Sequence, residues 1–407
     1  MTAMREEPQS WIAARVIFSL SVAASAIACG GQDNPQPQVL RTDSAGIEIV
    51  YSPAPAGEDT IDTGPLWRFG DGATSDGVTA SLQNFDDVVA SSTGLILLAD
   101  PMNHVVVALD SRGKLRWRFG REGEGPGEFK GSFSIAAVAD TAFVLEFGTR
   151  RLTAIGPEGK LLRVVPVTWN APNVTLAGSS DDGRLLLASR HLLGPEPGIN
   201  RDSVALAWLD TDGGLGAPLQ GSARYGNFDF VMKSTGPNIR PQAYGPTGSV
   251  TSNAGGLYHA DGVLPEVHHR DVTGRLVRIL RWSLAPRAVT EADRVAYAEA
   301  ERSRPMDSFR KIQLEEWLAH ATWPASMPAT GQLTAALDGR LIVAAECAAS
   351  ARHCAWYEFD PRGQWSRTLW LPARARHAAI TGTIFVTLSS DHEGFVVAEG
   401  WRIPAAN

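Results

Sequence analysis

The chain has 407 residues, 44% hydrophobic and 20% charged, the balance of a globular protein with one large β domain or two ordinary domains. Forty glycines and twenty-five prolines supply the turns that many short strands require. The formal net charge of −7 is spread along the chain, so no basic face stands ready to neutralise phosphates and nucleic-acid binding is disfavoured.

Residues 1–28 read as a signal peptide: Arg5 and Arg15 precede a short apolar run, Val16 to Ala28, that ends in small residues. That run is too short to span a bilayer comfortably, and no later stretch is long and apolar enough to do so. Ala26-Ile27-Ala28-Cys29 is similar to a bacterial lipobox, which makes Cys29 the expected lipid-attachment residue. Ala26 stands where lipoproteins usually carry leucine, and Ala26-x-Ala28 also suits ordinary signal peptidase, so an unlipidated exported protein is the alternative. Residues 29–40, with Pro35 and Pro37, read as a flexible tether to a domain covering 41–407. The expected location is the periplasm or cell envelope, with contact to a membrane only through the anchor.

Strands follow in short runs. Ile47 to Tyr51 alternates, and Trp67 to Gly70 reads as extended. Phe85 to Ala90, Leu95 to Ala99, Val105 to Leu109 and Lys114 to Phe119 form a four-stranded unit, with Asp110-Ser111-Arg112-Gly113 as its last turn. The unit recurs, and the closing turn glycines fall at Gly113, Gly159, Gly213, Gly274 and Gly363. A sheet repeat of roughly forty to fifty residues is the signature of propeller blades. The reading is all-β: a six-bladed β-propeller. Its sixth copy shows only three clear strands, and Ile47 to Tyr51 is expected to supply the fourth and close the ring.

Longer gaps hold insertions at His191 to Asp202, Ala217 to Tyr244 and Pro286 to Pro328. The last predicts a helical insertion over about 288–322. Thr290 and Asp293 have capping-box spacing, Pro305 ends the first helix, and Phe309, Ile312, Glu316 and Trp317 predict a second, amphipathic one. A helical hairpin packed on one rim of the ring is the plain reading; a lid or partner-binding element is the functional one. Cys347 and Cys354 sit at facing ends of two apolar runs and are expected to form a disulfide, with metal binding alongside His353 as the weaker alternative.

Gly120-Arg121-Glu122-Gly123-Glu124-Gly125-Pro126-Gly127-Glu128-Phe129 resembles the inter-blade segment of NHL-repeat propellers. Over about residues 41 to 402 the chain is similar to exported bacterial six-bladed propellers of the NHL-repeat and TolB-like group. That resemblance implies fold and compartment more than chemistry, since most of that group lack an assigned activity. It makes the glycine-rich segment a connector between blades, not a phosphate cradle.

Some six-bladed relatives, of the gluconolactonase and paraoxonase type, hold calcium at the channel through Glu, Asn and Asp. The corresponding candidates are Asn84, Asp86, Asp87, Asn173 and Asn253, near the starts of candidate inner strands; local backbone hydrogen bonding is the competing role. Asp181-Asp182-Gly183 and Asp210-Thr211-Asp212-Gly213 lack the further ligands of a calcium loop and read as turns. His268 and His269 are adjacent in a strand and point to opposite faces. No nucleophile elbow, P-loop or H-E-x-x-H motif is present. The leading expectation is a monomeric binding or scaffold module for a protein, peptide or glycan ligand at the channel or rim loops. A metal-dependent hydrolase or lyase of the lactonase type is the alternative, and calcium is the cofactor it would take.

Overall fold

The computed structural model describes residues 38–61, 64–70, 87–191, 197–219, 223–233, 236–253, 255–304, 306–348, 351–372, 375–390 and 396–404. The signal peptide, Cys29, Asn84 and Asp86 lie outside them.

The chain enters with four strands, β1 (Leu40–Ser44), β2 (Ile47–Ser52), β3 (Glu58–Thr60) and β4 (Trp67–Phe69). The first unit is β5 (Asp87–Ala90), β6 (Ile96–Asp100), β7 (Val105–Leu109) and β8 (Leu115–Phe119). The second is β9 (Phe133–Val138), β10 (Thr141–Glu146), β11 (Arg151–Ile155) and β12 (Leu161–Pro166). The third is β13 (Val174–Ser179), β14 (Leu185–His191), β15 (Gly198–Leu209) and β16 (Leu215–Pro218), followed by a hairpin, β17 (Ala223–Lys233) and β18 (Gly236–Pro241). The fourth is β19 (Ser249–Asn253), β20 (Gly256–Ala260), β21 (Glu266–Arg270) and β22 (Leu276–Trp282), followed by helices α1 (Glu291–Ser303) and α2 (Ser308–Leu318). The fifth is β23 (Leu333–Ala335), β24 (Leu341–Ala344), β25 (His353–Phe359) and β26 (Trp365–Pro372). The sixth begins with β27 (Arg376–Thr381), β28 (Ile384–Ser390) and β29 (Val396–Arg402).

Each unit is an antiparallel meander, and its first strand is innermost. Residues of β5, β9, β13, β19, β23 and β27 line one central channel, so the units stand in a ring. This packing explains the unbroken apolar runs. Val105, Val107 and Leu109 pack toward the sixth unit, whereas Val106 and Ala108 pack toward the second, so every residue of β7 is buried. A strand covered on both faces needs no polar side, and period-two alternation disappears.

The polar groups of the inner strands stitch neighbouring units together. The Ile135 amide donates to Asp87 and the Leu176 amide to Ser134; Ser179 donates to the Ala137 carbonyl and Ser252 to the Ser179 carbonyl. The Leu333 amide donates to Ser249, and Thr334 donates to the Ala378 carbonyl. A second set of bonds joins the turns. Trp67 Nε1 donates to the Ser111 carbonyl, Trp117 Nε1 to Pro157, Arg163 to Thr211, Trp208 Nε1 to Val272 and Arg278 to Pro361. In each case the acceptor is the second residue of the turn before the next unit's outer strand.

Ring closure differs from the sequence expectation. Ile47–Ser52 does not complete the last unit; β2 pairs in parallel with β22, the outer strand of the fourth unit, from Glu48↔Arg278 to Ser52↔Trp282. β3 pairs in parallel with β26 of the fifth unit. β4 pairs antiparallel with β29 and is the fourth strand of the sixth unit, Phe69 opposite Ala398. The chain before the first unit is therefore a strap along the outer edges of three successive units. It covers edges that would otherwise expose unpaired backbone groups.

The predicted helical insertion is present, and Thr290 and Asp293 form the predicted capping box. The apolar face of α2 differs from expectation. Leu314 and Trp317 are buried against Ala243, whereas Phe309 and Ile312 are each 53% exposed. At 100° per residue the pair Phe309 and Ile312 lies on nearly the opposite side of the helix from Leu314 and Trp317.

Candidate functional site

The channel walls mix small and apolar residues with the hydroxyl and amide side chains of Ser179, Thr251, Ser252, Gln332 and Thr334. The lining runs through Val88, Ile135, Gly178, Val250, Leu333 and Ala379, and encloses about 190 Å³. Asp87 is the one carboxylate among the described residues of that lining, and it accepts the Ile135 amide. Asn253 is buried; its amide donates to the Ala336 carbonyl and its oxygen accepts the Gly255 amide. Asn173 is exposed just before β13, at φ +46°. β13 and β19 run parallel with Gly178 opposite Ser252. Asn173 and Asn253 therefore sit at opposite ends of adjacent strands, about 20 Å apart at 3.3 Å per residue. Among the described residues no three of His, Cys, Asp and Glu stand together as a metal site.

His268 and His269 do diverge. His268 meets Glu266 at 2.9 Å, while His269 meets the Gly255 carbonyl and stacks on Tyr258. Asp182 pairs with Arg184 within its turn. The glycine-rich segment is a connector: Phe129 is buried between Phe119 and Phe133, and Glu128 accepts the Gly125 amide and pairs with Arg121.

A cleft of about 640 Å³, lined by both polar and apolar side chains, opens where the insertion meets the fifth and sixth units. It shares Gln332 with the channel, so it lies at one channel mouth. Its walls bring together Arg240 from β18, Tyr297, Glu301 and Arg304 from α1 and its end, Glu346 and Trp356 from the fifth unit, and His377 from the sixth. The insertion is held rigidly over it. Asn238 donates to the Gln313 carbonyl, Gln242 to the Thr322 carbonyl, and buried Asp229 accepts the Thr322 amide. Tyr244 donates to the Asp293 carbonyl and packs edge-on against Tyr297, which in turn meets Trp317 and Trp323. Burial, reinforced by nearby Glu301, pushes the Tyr297 phenol up to about 12, so it stays a neutral donor. Arg240 lies over the Trp317 ring at 5.7 Å.

His377 occupies a bulge between Arg376 and Ala378, at φ +40°. A β-bulge re-aims a side chain, and a histidine held at positive φ is locally strained. The Trp356 indole N–H is buried with no hydrogen-bond partner. Cys347 and Cys354 form the predicted disulfide, with Cα atoms 5.5 Å apart, and it lines the same cleft.

A larger groove of about 950 Å³ opens on the opposite face, among the turns of the first, second and sixth units. Its Arg112, Arg116 and Arg402 are exposed, its Asp110 and Asp140 partly so, and its floor consists of turns that the fold requires in any case. Several of the cleft's polar groups, Tyr297, Glu301, Arg304 and His377, come from an insertion and a bulge that ring closure does not need.

A ring of four-stranded sheets around a channel defines an all-β propeller. No family model matches the chain, and no curated protein matches it. Solved structures share the general shape. A protein from Bacteroides fragilis described as exported is 10% identical, with 88% of this chain and 99% of that chain covered and a TM-score of 0.46. A member of the DUF4221 family from Bacteroides vulgatus is 9% identical, covering 79% and 92%, at 0.44. The calcium-binding protein regucalcin from Agrobacterium tumefaciens is 9% identical, covering 86% and 96%, at 0.41. At such identities and scores these likenesses carry no functional argument.

Proposed function

We propose that this chain is a six-bladed envelope propeller, exported by its signal peptide and tethered through Cys29, that binds a protein, peptide or glycan segment in the cleft beneath the helical insertion. One observation carries the reading. Arg240 from β18, Tyr297 and Glu301 from α1, Glu346 from the fifth unit and His377 from the sixth converge at the channel mouth. Cations, carboxylates, a phenol and indole surface in one open cleft suit an extended polar ligand better than a small apolar one.

A thermal-shift screen of peptides, glycans and lactones, with metal analysis of the purified protein, tests it. A true ligand at a hundredfold its dissociation constant adds about 2.7 kcal/mol of stability. That shift is expected to vanish in His377→Gly with Arg304→Ala. Glycine accepts the φ of position 377, and Arg304 is exposed, so the fold tolerates both. An undiminished shift in this variant sinks the cleft. Stoichiometric calcium together with a lactone response transfers the reading to the hydrolase or lyase alternative.

A further inference from the structure

We propose that the face bearing the insertion, at the edge of the fourth unit, rests on the lipid bilayer that carries the anchor. Three observations meet there. The first is where the tether arrives. β22 runs toward the insertion, β2 is parallel to it and β1 antiparallel, with Leu40 opposite Tyr51. Leu40, the first residue of β1, therefore lies on the insertion's own side of the ring. The second is the exposed apolar surface on that side. Leu40 is exposed at the start of β1, and Val263 and Leu264 are exposed in the loop between β20 and β21 of the same sheet. The order β1-β2-β22-β21 puts that loop three strand spacings from β1, about 15 Å. The insertion rises directly after β22, and its second helix turns Phe309 and Ile312 away from the ring, opposite the buried Leu314 and Trp317.

The third is reach. The proposal rests on reading Cys29 as the lipid-attachment residue. From Cys29 to Leu40 is 11 residues. Eleven residues reach at most about 40 Å when fully extended. An anchor that short holds this edge of the ring near the lipid surface at high effective concentration, so each side chain need contribute only weak interfacial partitioning. Of the exposed apolar residues, Leu337 lies on the far side of the ring, in the turn between β23 and β24, and is 51% exposed. It serves as the internal control.

The test uses the full chain carrying Cys29→Ser, which removes the anchor and keeps the tether, with phosphatidylethanolamine–phosphatidylglycerol vesicles at millimolar lipid to match the tethered concentration. An environment-sensitive fluorophore on Ile312→Cys is expected to shift its emission to the blue with vesicles, and the same fluorophore on Leu337→Cys to stay unchanged. Equal responses at the two positions, or none at 312, overturn the proposal. In a second measurement, Phe309→Ser with Ile312→Ser is expected to lower the vesicle-bound fraction at least fivefold with the melting temperature unchanged, since both side chains are already exposed. Undiminished binding overturns it. The mass of the mature wild-type protein reads acylation separately, so a missing anchor and a missing surface give different results.

Discussion

Gly159 sits at φ +74°, and a Cβ built on it would come within 2.7 Å of Trp117 Cβ. Trp117 belongs to the first unit and Gly159 to the turn of the second, so the contact is a joint between units. The same joint recurs where a Cβ on Gly113 would meet Trp67 at 2.5 Å and one on Gly363 would meet Leu280 at 2.3 Å. The turn itself was legible in the sequence, because an aspartate that accepts two later amides, as Asp110 accepts those of Arg112 and Lys114, leaves a fixed spacing to glycine. Its partner was not legible, because the donor is a tryptophan in some units and an arginine in others, some forty or more residues away. Gly159→Ala is expected to cost about 2–3 kcal/mol, from positive φ and the clash together. Trp117→Phe, which loses only a solvent-accessible hydrogen bond, costs about 0.5–1 kcal/mol. With Trp117→Gly in place, which removes that Cβ as well as the ring, the substitution at Gly159 falls to about 1 kcal/mol, the backbone cost alone. Denaturant unfolding of the four proteins reads the coupling, and additive effects would contradict a joint at this position.

The strap behaves as an element whose partners are chosen by available sheet edges. Ile47–Ser52 carries the clearer strand pattern, yet it joins the fourth unit, and three residues without usable periodicity, Trp67–Phe69, finish the sixth. Short strands inherit their place from the edge that receives them, which no local pattern encodes. Arg367 fastens the strap's middle. It is buried, contacts Glu358 and Asp59 at 3.2 Å each, and donates to the Pro404 carbonyl at 2.7 Å, so the strap and the segment that follows β29 meet at one guanidinium. Arg367→Met is expected to cost about 3 kcal/mol, because it removes both pairings and the carbonyl bond from a buried site. Asp59→Asn touches only the half-exposed partner and costs less than about 1 kcal/mol. Equal losses in the two variants would place the stabilisation in the surface pair alone.

At the scale of the molecule, the ring was legible and the cleft was not. Strand runs and turn glycines repeat along the sequence, so they announce units, but Arg240, Tyr297, Gln332, Glu346 and His377 belong to separate connections and share no motif. Only folding brings them together. The same long-range assembly sets the response to acid. The hydrogen bond from His268 lowers Glu266 to about 2, with burial opposing and Arg281 assisting. Thr273 lowers Asp271 to about 2, again against burial and with help from Arg275. Arg278 and Arg41 outweigh burial to hold Glu48 below its ordinary value, and Arg151 and Thr149 do so for Glu146. Each carboxylate binds protons more readily unfolded than folded. Their stabilisation is therefore complete above the ordinary carboxylate range and is lost as pH falls through the folded values. The melting temperature is expected to stay level down to about pH 5 and then fall, with half-buried Glu266 adding a slope of up to about 1.4 kcal/mol per pH unit between roughly pH 4.5 and 2 and the more exposed Asp271 and Glu48 adding less. Glu266→Gln is expected to lose up to about 3 kcal/mol at pH 7 and nearly nothing at pH 2, which flattens the acid limb. Calorimetry across that range checks both, and a variant curve parallel to the wild type would remove Glu266 from the account.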